Sequence, residues 1–136
     1  MTLKLQLVED GKVICQIPLS PMDWSREELV SDLNVFEANF QRYLKLFSAL
    51  SNETRLRMMK RLIERKKSTV TFTDFMQDLD LNPKLVWENT RKLREGGLLV
   101  KIGRSGYRCS EFGETSFMMM SLAFKRLKTL EEMDDF

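Results

Sequence analysis

The chain has 136 residues, 43% of them hydrophobic, and 22 Lys plus Arg against 20 Asp plus Glu, a net charge of +2. That length supports one domain with appended elements, and a composition without low-complexity tracts belongs to a folded chain. No apolar run approaches the ~20 residues needed to span a bilayer, and the chain contains no histidine, so the commonest general base and the commonest zinc ligand are both missing.

The remaining carboxylates and lysines are gathered by no motif. There is no phosphate-cradling glycine loop, no HExxH and no nucleophile elbow, so neither an enzyme nor a cofactor or metal site is expected. The opening "MTLKLQLVEDG" is interrupted by charge within ten residues and is not expected to be a signal peptide. Cys15 and Cys109 form no CxxC pair. A reducing, cytoplasmic setting without membrane contact fits them best, with Cys15 a small packed apolar residue and a thiol switch the alternative.

Residues 1–22 are expected to form an N-terminal β-hairpin extension. "TLKLQLV" and "KVICQIP" flank Asp10-Gly11, a pair that accepts the positive φ of a two-residue type I′ turn. That turn pairs Glu9 with Lys12 and Leu7 with Ile14. It also places Leu3, Leu5 and Leu7 on one face and Val8, Val13, Cys15 and Ile17 on the other. Both faces then need cover, unless a bulge shifts the register.

A long helix is expected over 25–50, with Ser25 and Glu28 as a capping box. Leu29, Leu33, Phe36, Phe40, Tyr43, Phe47 and Leu50 recur at alternating spacings of four and three, the seam of a helix packed lengthwise against another helix. A helix of ~25 residues is ~38 Å long, which outruns a small core and favours a partner chain over a core helix of one subunit.

The next helix starts at Ser51 or Asn52, with Leu56, Met59, Leu62 and Ile63 inward and the basic end "ERKK" at its C-terminus. "STVTF" is a short β-like lead. Thr71 and Asp74 cap a short helix with Phe72, Phe75, Met76 and Leu79 inside. Asn82 caps the following helix, Pro83 takes its first position, and Gly96-Gly97 ends it. "LLVKIGRSGYRCS" then reads as a strand, a turn over Gly103–Gly106 and a return strand. Helix, turn, helix and hairpin in this order form a winged helix-turn-helix. Ser110 leads a last helix over 111–133, with Phe117, Met120, Phe124 and Leu127 in a stripe that Met118, Met119 and Leu130 broaden; such a Met- and Phe-rich face is a packing surface. The fold class is therefore mainly α with a small β component, in a domain over 23–136 with its core at 45–112.

Charge is distributed unevenly along these elements. Residues 82–108 hold seven Lys or Arg and two acids, a net of +5, while 1–50 and 109–136 carry −2 and −3. Such an arrangement confines polyanion binding to one surface. On a helical wheel Val86, Thr90 and Leu93 look inward and Lys84, Glu88, Arg91, Lys92 and Glu95 outward. Lys84 and Arg91 suit guanine or phosphate, and Asn89 suits adenine. Glu88 either accepts from cytosine or orients Arg91. Trp87 lies at the margin, where packing against the turn is expected and DNA contact is the alternative. Lys101 and Arg104, joined by Arg108, would grip backbone phosphate or a minor groove.

"FSALSNETRLRMMKRLIE" and "LVWENTRKLREGGLLV" resemble the corresponding segments of ArsR-type winged-helix transcription regulators. Leu50, Asn52, Thr54, Arg55 and Leu56 stand at the first motif's positions, and Leu93, Arg94, Glu95, Gly97 and Leu98 at the second's; the likeness spans roughly residues 45–112. It implies sequence-specific recognition of double-stranded DNA by a homodimer joined through the first and last helices. The metal-sensing cysteines and histidines of that family are absent, and Thr90 stands where a core leucine is usual. One alternative is a winged helix serving as a protein-interaction module, for which changing Lys84, Arg91 and Arg104 together would leave function intact. Another adds to DNA binding a small apolar effector held by the hairpin and the long helix.

Overall fold

In the computed structural model, residues 3–65 and 69–134 are described, with side chains through Lys128. Lys66, Lys67 and the side chain of Leu130 lie outside the described residues. The chain divides into two compact units, Met1–Gln41 and Arg42–Phe136.

The first unit opens with β1 (Lys4–Glu9) and β2 (Lys12–Pro18), an antiparallel pair. Asp10 and Gly11 take φ of 51° and 80°, the two left-handed residues that a type I′ turn requires. Glu9 pairs with Lys12 and Val8 with Val13, but then the register shifts and Leu7 faces Cys15 rather than Ile14. This is the bulge alternative. Because directly paired residues share a face, Leu5, Leu7, Cys15 and Ile17 collect on one side and Lys4, Gln6 and Gln16 on the other. The extra residue at Ile14 thus keeps Leu5, Leu7, Cys15 and Ile17 together, while the Val8–Val13 pair falls on the side of Lys4 and Gln6.

Ser25 then caps α1 (Arg26–Ala38), its hydroxyl accepting the Glu28 N–H at 3.1 Å. The single helix expected over 25–50 is in fact two helices, because α1 stops at Asn39 and α2 runs from Phe40 to Leu50. The cause is local. The Asn39 side-chain amide donates to Val35 O at 2.9 Å, the carbonyl its own N–H would use in a continuing helix, and that N–H bonds to Phe36 O at 3.0 Å instead. Asparagine competes with the helix backbone in this way. The residues from Leu29 to Leu50 are therefore divided between two helices. Phe36 and Phe40 meet edge-to-face across the break, with centroids 5.1 Å apart.

The second unit is built around the rest of α2, α3 (Glu53–Glu64), β3 (Val70–Thr71), α4 (Phe72–Asp78), α5 (Pro83–Glu95), β4 (Leu99–Ile102), β5 (Gly106–Cys109) and α6 (Glu111–Asp134). The sheet order is β3-β5-β4, antiparallel throughout. The core joins Leu46, Ala49 and Leu50 of α2 to Met58, Met59 and Leu62 of α3, Phe75 of α4, Val86 and Leu93 of α5, and Val70, Leu98, Leu99 and Tyr107. Each such buried large side chain stabilises the fold by ~1.5–3 kcal/mol. On α3 the inner stripe is Met58, Met59 and Leu62; Leu56, expected inside, is 36% exposed. The helix is turned so that Arg55 shares the inner side.

The remaining caps follow the sequence. Asn52 Oδ1 accepts the Arg55 N–H at 3.2 Å. Thr71 and Asp74 exchange both bonds of a capping box, at 2.9 and 3.0 Å. The Thr71 N–H holds the Asp74 carboxyl below its ordinary pKa, with the Thr71 hydroxyl, Arg65 and Arg61 adding to the effect against desolvation. Asp80, with φ 52°, ends α4 in place of a glycine and lets the Leu81 N–H reach Met76 O at 3.0 Å.

Ser110 fastens α6, accepting the Gly113 N–H at 2.8 Å and donating to Gly97 O at 2.6 Å. Gly113 lies so close to the Leu98 main chain that a β-carbon would overlap its carbonyl. Backbone cannot rotate aside, so Gly113→Ala is expected to destabilise by about 2 kcal/mol despite a gain of about 1 kcal/mol in helix propensity. Thermal denaturation would register this as a lowered Tm.

Candidate nucleic-acid interface

The helix that opens the basic stretch, α5, is held at both ends. Asn82 Oδ1 accepts the Leu85 N–H at 2.9 Å, with Pro83 at the first helical position. At the far end Gly97 has φ 75°; its N–H reaches Arg94 O at 2.9 Å and the Leu98 N–H reaches Leu93 O at 2.9 Å. These two bonds form a Schellman cap, which turns the chain directly into β4. Arg42 reinforces it, donating to Gly96 O at 3.3 Å with its guanidinium 4.6 Å from the Phe112 centroid.

Arg55 is the position whose contacts the sequence did not reveal. It donates from Nε to Ala49 O at 2.6 Å, from Nη2 to Ser48 O at 3.1 Å and from Nη1 to Asn89 Oδ1 at 2.9 Å. Three helices are thereby joined by one planar fork: the end of α2, the start of α3 and the middle of α5. Desolvation pulls its pKa below the ordinary arginine value. The motif resemblance singled out this arginine; only its contacts show why it is there.

Val86, Thr90 and Leu93 face inward as the wheel predicts, and Thr90 Oγ1 donates to Val86 O at 2.7 Å. Asn89 is a correction. It is buried, accepting from Arg55 and donating to Leu85 O at 2.8 Å, so it is not displayed for an adenine. Trp87 is a second correction: it does not pack under the turn but stands 57% exposed, with the Arg91 guanidinium 5.0 Å from its ring centroid. Glu88 does not orient Arg91 either, since the acid beside that guanidinium is Glu95, at 3.9 Å.

The cations of α3 and those of α5 and the wing differ in their company. On and beside α3, Arg57 pairs with Glu53, Lys60 with Glu64, Arg61 with Asp78 and Arg65 with Asp74, at 2.7 to 3.3 Å. Among the described residues no acid pairs with Lys84 or Lys92 on α5, or with Lys101 or Arg104 on the wing, and all four side chains are exposed. Arg108 leaves this set. Lys101 pairs with Tyr107, and Arg108 with Val100, so the pleat sends Arg108 to the other face of the hairpin. There it lines a hollow of about 240 Å³ with Leu62, Ile63, Cys109, Glu111 and Glu114.

Of the residues expected at a dimer interface, Leu33, Phe36, Phe40, Phe47, Phe124 and Leu127 are exposed, while Leu29 and Tyr43 are half-buried. Phe117 and Met120 instead pack against the chain's own core. Cys15 is exposed, whereas burial, aided by Glu114, pushes the Cys109 thiol up to about 11. At pH 8 only about one Cys109 in a thousand is thiolate, the reactive form. Iodoacetamide is expected to modify Cys15 well before Cys109, as peptide mass mapping over time would report. Among the described residues no group of three or more Cys, Asp or Glu is placed to hold a metal, and no helix is long and apolar enough to cross a membrane.

No family model matches the chain, and no curated protein does. Among solved structures it is similar to HlyU from Vibrio cholerae N16961, with a TM-score of 0.51 at 18% identity, over 63% of this chain and 95% of that one. An ArsR-like transcriptional regulator from Rhodococcus sp. RHA1 aligns at a TM-score of 0.48 and 21% identity, over 72% of this chain and 94% of that one. At such identities the likeness to HlyU is one of fold. The mainly helical winged helix-turn-helix with small antiparallel sheets, expected from the order of elements and from the ArsR-like segments, is the fold observed.

Proposed function

We propose that this protein is a sequence-specific double-stranded DNA-binding transcriptional regulator that acts in the cytoplasm as a homodimer. In this reading α5 enters the major groove, and the turn between β4 and β5 rests on the backbone or in the minor groove. One observation carries it: among the described residues Lys84, Lys92, Lys101 and Arg104 stand exposed without acidic partners, while Arg57, Lys60 and Arg61 of the neighbouring α3 each pair with an acid. Unpaired cations are what a polyanion can use, since each phosphate neutralised releases condensed counterions.

Apolar residues left exposed in each unit, Leu33, Phe36 and Phe40 in the first and Phe47, Phe124 and Leu127 in the second, supply surface for a second copy. A two-fold axis between copies would present two α5 helices ~34 Å apart, or a multiple of that, to a palindromic site. With three or four phosphates neutralised per subunit, log K against log salt is expected to fall with a slope of about −5 to −7. Fluorescence anisotropy of a labelled duplex over a salt series measures it. Affinity that does not respond to salt, or no binding at all, would remove the proposal. The exposed Trp87 and Leu85 on α5 also suit a protein-docking surface, and that second reading predicts this negative result.

A further inference from the structure

Trp87 is the feature of α5 that charge does not explain. A 57% exposed indole contributes little to the core, and its neighbours Val86 and Leu93 already fill the inward positions. It supports Arg91 instead. The guanidinium lies 5.0 Å from the ring centroid, and the Glu95 carboxylate, one turn further along, lies 3.9 Å from Nη1 as a loose ion pair. Of the cations on the outward side of α5, Arg91 is steadied in this way while Lys84 and Lys92 have no such partners among the described residues. A point charge needs no orientation to neutralise phosphate. A planar fork does need it to meet a base edge through two parallel bonds.

Resting on the DNA-binding reading above, we infer that Trp87 and Arg91 form the specificity determinant of each half-site, Arg91 reading a guanine while Trp87 positions it and reads the methyl group of an adjacent thymine. Guanine offers O6 and N7 to a bidentate arginine in the major groove, and the thymine C5-methyl is the apolar group displayed there. The carbon edge of an indole would leave any other base-edge group without a hydrogen-bond partner. Stacking on Trp87 restricts the guanidinium before DNA arrives, so less freedom is lost on binding.

The test begins with full-length protein selecting duplexes from a random pool. Affinities are then measured for the selected site and for single-position variants of it. Deoxyuridine in place of thymidine removes only the methyl group. Wild type is expected to lose about 10- to 100-fold when the guanine is changed and several-fold on the thymine-to-uracil change. Trp87→Ala is expected to lose the uracil effect and most of the guanine preference while keeping its salt slope. Trp87→Phe should recover part of the guanine preference, which a merely structural role for the ring would not predict of an exposed side chain. Arg91→Lys should lose the guanine preference and keep the uracil effect. A folded Trp87→Ala protein that retains either preference at wild-type strength overturns this inference and leaves DNA binding intact. Wild type that binds no duplex overturns both.

Discussion

Alanine at Lys84, Lys101 and Arg104 together is expected to weaken duplex binding by about 10³- to 10⁴-fold at 0.15 M salt while leaving Tm nearly unchanged. The size follows from counterion release. Three phosphate contacts per subunit are six per dimer, and at ~0.9 per contact the log–log salt slope should flatten by about 5. Stability is spared because all three side chains are exposed and have no acidic partner among the described residues; substitutions of that kind shift folding by within about 0.5 kcal/mol. The matched control is Arg57→Ala with Lys60→Ala on α3, whose charges already meet Glu53 and Glu64 at 2.7 and 2.9 Å. That double variant should flatten the slope far less. Equal losses from both sets would mean that charge acts through the whole molecule rather than through α5 and the wing, and the site assignment would fail.

The second large effect concerns stability. Arg55→Ala is expected to cost about 3 kcal/mol, because hydrogen bonds from a charged donor contribute ~1.5–3 kcal/mol and unmet buried acceptors add to their loss. Ala49 O, Ser48 O and Asn89 Oδ1 all lose their Arg55 donor at once. For a chain of this size that lowers Tm by roughly 10 °C. Arg55→Lys should recover little, since an ammonium cannot reproduce the planar fork that reaches from α3 to three acceptors on two other helices. Arg57→Ala is again the comparison. Its ion pair with Glu53 is 65% and 78% exposed, and such pairs contribute at most ~0.5 kcal/mol. Urea denaturation of the three variants gives the ordering directly. Arg55→Ala should also weaken DNA binding, because Asn89 is the point at which α5 is tied to α2 and α3.

The features read correctly from the chain are those whose cause lies within a few residues. Asn52, Thr71 with Asp74, Asn82 with Pro83, and Gly96-Gly97 mark helix ends because each side chain or φ value satisfies backbone groups next to it in sequence. Asp10-Gly11 marks its turn for the same reason. The inward set Val86, Thr90 and Leu93 follows from helical period alone, and the order of elements was enough for the fold class. The break at Asn39 is an instructive exception. Its cause is local, yet an asparagine on an exposed helix face carries the same letter whether its amide points to water or to Val35 O.

What lay beyond the sequence depended on contacts between distant segments. Asn89 sits at the edge of the outward side of α5, and the arrival of Arg55 from another helix turns it from a candidate base reader into a buried anchor. Met58 rather than Leu56 lines the core because α3 is rotated to bring Arg55 inward. The hairpin bulge and the pairing of β4 with β5 decide which residues share a face, and they remove Arg108 from the wing's cationic set. Local hydrogen bonding and periodicity were thus sufficient for the elements and their order, since those interactions close over one or two turns. Which charges remain unpaired, and therefore free for a polyanion, required the folded chain, because pairing depends on distances between helices that no single stretch contains.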